Sequence, residues 1–100
     1  MFHGNSKRNP KPHHLYEIID SIDEDVVKYG ISAEDINEEG YSNRMRKQVD
    51  FVNTFIGWAR FFARIILRNI PGRDQAEIIE NEYIEAYKEK HGKRPRGNRK

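Results

Sequence analysis

Cysteine is absent from the 100 residues, which excludes disulfides and thiolate zinc sites and fits a reducing, cytoplasmic setting. The N-terminus, MFHGNSKRNPKPHH, has no apolar core of the kind a secretory signal needs. The glycines, at positions 4, 30, 40, 57, 72, 92 and 97, never fall into a dinucleotide or phosphate-loop fingerprint. His3, His13, His14 and His91 lack the spacing of a zinc helix. The acidic stretch DSIDED at 20–25 lacks the glycine and distal glutamate of a calcium loop. Neither the serines nor Thr54 has an evident base. No set of nucleophile, base and oxyanion donor can be assembled, so the chain reads as a non-enzyme without cofactor, metal or small-molecule substrate.

What is present is charge, segregated along the chain. The net charge is only +2, but residues 1–14 are purely basic and residues 15–40 are acidic apart from Lys28. Residues 41–73 are basic apart from Asp50, residues 74–92 are mainly acidic, and residues 93–100 are purely basic. Such alternation suits helices packed against neighbours of opposite sign, with basic ends left free.

The apolar spacing predicts three helices. Leu15, Ile18, Ile19, Ile22, Val26 and Tyr29 recur at helical intervals after Pro12, and Gly30 is a natural stop. Ser42 or Asn43 caps a second helix reaching about Asn69, just before Pro71, with Gly57 as its weak point. Its apolar face, from Met45 to Ile70, is broad enough to make it the hub. Asp74 with Glu77 opens a third helix that ends at His91, with Gly92 beyond. No strand is expected. The fold expected is therefore all-α: a small three-helix bundle over 13–92 with a long central helix, and flexible basic tails at 1–12 and 93–100. Apolar surface left over on the hub would form a homodimer face.

Within FIGWARFFARIILRNI, residues 55–70, Arg60, Arg64 and Arg68 share the hub's remaining arc, with stems covering apolar neighbours and guanidinium groups in water. The first turns of the hub add Asn43, Arg44, Arg46, Lys47 and Gln48, side chains suited to phosphates and base edges. The tail KRPRGNRK resembles an AT-hook, the basic peptide that lies in the minor groove of AT-rich DNA. Pro95, Arg96 and Gly97 match its centre, whereas Asn98 stands where the second arginine belongs. The resemblance implies DNA contacts by Lys93, Arg94, Arg96, Arg99 and Lys100.

The function expected is that of a small regulatory or accessory protein binding nucleic acid, DNA before RNA, through these eleven basic residues. The alternative is a protein-interaction adaptor or inhibitor that presents acidic first and third helices to a protein partner. A third reading, a membrane-surface helix over 51–70, meets the repulsion of acidic flanks.

Overall fold

In a computed structural model, which describes residues 10–98, the chain is α+β rather than the all-α bundle its apolar spacing predicts. Strands β1 (Pro12–Asp20) and β2 (Asp25–Ser32) precede helix α1 (Asn43–Ile56), and strand β3 (Phe61–Pro71) precedes helix α2 (Arg73–His91). The sheet order is β2-β1-β3, and both pairings are antiparallel.

The central strand explains why no alternation is visible. Every residue from His13 to Asp20 is buried, because successive side chains of β1 enter two different cores. Leu15 joins Tyr29, Ile31, Ile70, Ala76, Ile84 and Tyr87 beneath α2. Tyr16 and Ile18 join Met45, Val49 and Ala63 beneath α1. The two helices therefore cover opposite faces, and a strand buried on both faces shows no alternation of apolar and polar residues.

The expected first helix is a hairpin. Asp20 Oδ1 accepts the backbone N–H groups of Ile22 and Asp23, so the acidic stretch makes an Asx-type turn. Ile22, expected on a buried stripe, is exposed. The expected hub is two elements. Gly57, in the left-handed region (φ 93°), ends α1 by donating its N–H to the Asn53 carbonyl. The Asn53 side chain then fixes the start of β3, accepting from the Phe61 N–H and donating to its carbonyl. Arginines four apart share one face of a strand just as they roughly share one face of a helix, so their spacing carries no preference between the two. The third helix falls where the sequence places it, with Gly92 as its αL cap.

The segment after α2 is not free as expected. Pro95 is fully buried, the Gly97 N–H donates to the Val27 carbonyl, and the Asn98 side chain both accepts from the Tyr29 N–H and donates to its carbonyl. Residues 97–98 thus extend the hydrogen bonding of β2 at its outer edge, which would otherwise present an open ladder. The remainder of the two tails, residues 1–9 and 99–100, lies outside the described residues.

Candidate functional site

Tyr16 lies opposite Gly30 on the neighbouring strand. A Cβ at Gly30 would come within 2.4 Å of the Tyr16 ring and hydroxyl, so the glycine makes room for the phenol to cross β2. The ring is fully buried, but its hydroxyl reaches α1, where it donates to Gln48 Oε1 at 2.7 Å. Arg44, one turn earlier on α1, lies close enough for its charge to act on this hydroxyl. Burial raises the Tyr16 pKa, and the Arg44 charge opposes that rise.

Three more charges lie about Arg44. Lys28, on β2, has its pKa lowered by burial and by Arg44. Glu80, on α2, has its pKa raised by burial and by Glu77, against the pull of Lys28, Arg73 and Arg44. Glu34 accepts the Arg44 backbone N–H at the start of α1. Beside them opens a cavity of about 460 Å³, whose walls include Lys11, His13, Arg44, Lys47, Gln48 and Arg73. Ser42 anchors the helix that carries Arg44 and Gln48: its hydroxyl caps Met45 and shares a hydrogen bond with His14 Nε2.

The cations named from the sequence divide into two groups. Arg60 makes a two-pronged contact with Asp20 and reaches Asp23. Arg96 joins both of these aspartates, Arg64 pairs with Glu17 directly across the sheet, and Arg94 pairs with Glu85. Arg46 pairs with Glu39 and Asp50 and covers the Tyr41 ring. These side chains neutralise the protein's own carboxylates. Asp20, fully buried, is held well below the usual carboxylate range, chiefly by its hydrogen bonds from Arg60. By contrast, Arg44, Lys47, Arg68 and Lys93 make no ion pair with a described residue, and neither do Lys28 or Glu80. Arg99 and Lys100 lie outside the described residues.

Of the eleven predicted cations, the structure brings Arg44 and Lys47 to the cluster beside Tyr16. Sequence reasoning misses Tyr16, Lys28, Glu80 and the role of Gly30. A signal for the last was available: an isolated glycine among β-branched and aromatic residues marks a close approach of another group.

The family described as URI fold toxin 2 matches residues 6–92. No curated protein and no solved structure matches the chain. The match overturns both a likeness confined to the AT-hook-like tail and the regulatory or accessory function, since the family is one of toxins. The packing of residues 95–98 agrees, because Asn98, the misfit of the AT-hook pattern, is the residue that docks on β2. The alternative of an adaptor with two acidic helices loses its premise, because the first of those helices is a strand hairpin. Among the described residues no helix is long and apolar enough to cross a membrane.

Proposed function

The chain belongs to the URI fold toxin 2 family, and we propose that it acts as a toxin by cutting phosphodiester bonds of nucleic acid at the cluster of Tyr16, Lys28, Arg44 and Glu80. One observation carries the proposal. Most arginines named from the sequence are spent on internal carboxylates, yet Lys28, Arg44 and a half-buried Glu80 gather without ion pairs around a hydrogen-bonded tyrosine hydroxyl.

Cleavage of a phosphodiester needs negative charge on the phosphoryl oxygens offset and protons moved to and from oxygen. Arg44 and Lys28 supply the first. The Tyr16 hydroxyl, which donates to Gln48 and feels the charge of Arg44, is held in one orientation for the second. Glu80, its pKa raised by burial and by Glu77, is the group able to take a proton from an attacking water. A single carboxylate is also what Mg²⁺ commonly takes from a protein when phosphate oxygens and waters complete its shell. Glu80 would serve that use in place of taking the proton, because a carboxylate bound to a divalent cation is no longer a base, and among the described residues no cluster of three His, Cys, Asp or Glu offers another cation site.

The test is incubation of the full chain with supercoiled plasmid, single-stranded oligonucleotide and structured RNA, in Mg²⁺ and in chelator. The wild type is expected to cut at least one of them, and Glu80→Gln and Arg44→Ala to lose about 100-fold or more while keeping their circular dichroism. Intact substrates throughout would overturn the proposal.

A further inference from the structure

A second cavity, about 370 Å³, opens on the α1 side of the sheet and shares Lys28, Lys47 and Gln48 with the cluster above. Its remaining walls are apolar, with Ile18, Val27 and Val52 behind and Phe51 at the mouth. Phe51 is 74% exposed, so the face of its ring is open for another group to stack on. Gly97 closes one side: a Cβ there would lie 2.9 Å from Lys28 Cβ. No acidic residue lines this cavity.

We infer that this cavity receives one nucleobase of the substrate, stacked on Phe51, so that the preferred substrate is a single strand or an unpaired nucleotide. The inference rests on the nucleic-acid cleavage proposed above and deepens it. Arg44, Gln48 and Phe51 follow one another at intervals of four and three along one face of α1. The seven residue steps from Arg44 to Phe51 span about 10 Å, which places the ring near a nucleotide that neighbours the one held at Arg44. Lys28 and Lys47 at the rim complement the phosphates on either side of that base. An aromatic platform flanked by lysines is how proteins hold single strands with little sequence preference, since every base has a stackable face. A base paired within a duplex cannot present that face without being flipped out.

The decisive measurement uses the full-length Glu80→Gln chain, which leaves the oligonucleotide intact, and a single strand carrying 2-aminopurine. Binding should quench the fluorophore. Phe51→Ala should remove the quench and weaken binding about 5- to 150-fold, the equivalent of about 1–3 kcal/mol for one stacked base. Phe51→Trp should restore both, and duplex affinity should be lower than single-strand affinity throughout. Unchanged affinity and quenching in Phe51→Ala would overturn the inference, as would light scattering showing a dimer that Phe51→Ala dissociates. Absence of cleavage by the wild type, with Phe51-dependent quenching intact, would overturn the catalytic proposal and leave the base site standing.

Discussion

Gly30→Ala should damage this protein through one contact. The residue does not need a glycine backbone, because its φ lies outside the left-handed region. It needs space: the three atoms nearest an added Cβ are Cζ, Oη and Cε2 of Tyr16, at 2.4, 2.4 and 2.8 Å. An ordinary carbon contact is about 3.5–4.0 Å, so a fully buried ring must move by about 1 Å and take its hydroxyl away from Gln48. Overpacking of this kind costs about 1–3 kcal/mol, less about 0.4–1 kcal/mol gained because alanine narrows the unfolded ensemble. With a urea slope of about 2 kcal/mol/M, mid-range for a small domain, the unfolding midpoint should fall by up to about 1.3 M. In a Tyr16→Leu background, which lacks all three colliding atoms, the same alanine should cost nothing or stabilise slightly. Equal losses in the two backgrounds would refute the reasoning, because the cost would then arise from the β2 backbone and not from the phenol.

Glu80 ties stability to pH with a definite sign. Its folded pKa is raised above the ordinary value of 4.5 by burial and by Glu77, so between those two values the unfolded chain has already released a proton that the folded chain retains. Stability is therefore lost as pH rises through that window. Glu80→Gln should raise the urea midpoint at pH 7 and leave it unchanged at pH 4. At the sheet edge, Asn98→Ala removes two side-chain hydrogen bonds to Tyr29 and should cost about 1–3 kcal/mol, at about 0.5–1.5 kcal/mol each. Because β2 is then uncovered, the variant should also self-associate more readily at high concentration, as read by light scattering.

The parts of the fold that were legible in the sequence are those written in local signals. Helix α2 is announced by Gly92 at its end and by Ala76 and Tyr87 on one stripe, signals that do not depend on what the helix packs against, whereas the expected capping pair Asp74 and Glu77 does not cap it: the N-cap is Gly72, without a side-chain cap hydrogen bond. Gly57 was visible as the weak point of the supposed hub and is where α1 ends. The strands were hidden because their pattern depends on distant partners. Ile18 and Ile19 look like one helical face, yet they are consecutive residues of a strand paired on both sides. Leu15 and Tyr16 are likewise adjacent in sequence but enter opposite cores. In the candidate site, Arg44, Lys47 and Gln48 could be named because they lie in the first turns of one helix. Lys28 and Glu80 come from two other elements, and only the folded sheet edge brings their charges together.

The same folding step decides which charges act outward. A linear count gives a chain with basic ends and a basic middle, and that count suggests broad attraction to any polyanion. Folding changes the distribution: Asp20 alone draws in Arg60 and Arg96, and Glu17 takes Arg64 across the sheet. A buried carboxylate cannot be left unpaired without a large desolvation cost, so these arginines are committed to the fold. Lys28 and Glu80 are partly desolvated as well, but no ion pair compensates them, and each has its pKa moved towards the neutral form. An arrangement that leaves opposite charges close, half-buried and unpaired costs stability, and groups perturbed in this way cluster at functional sites.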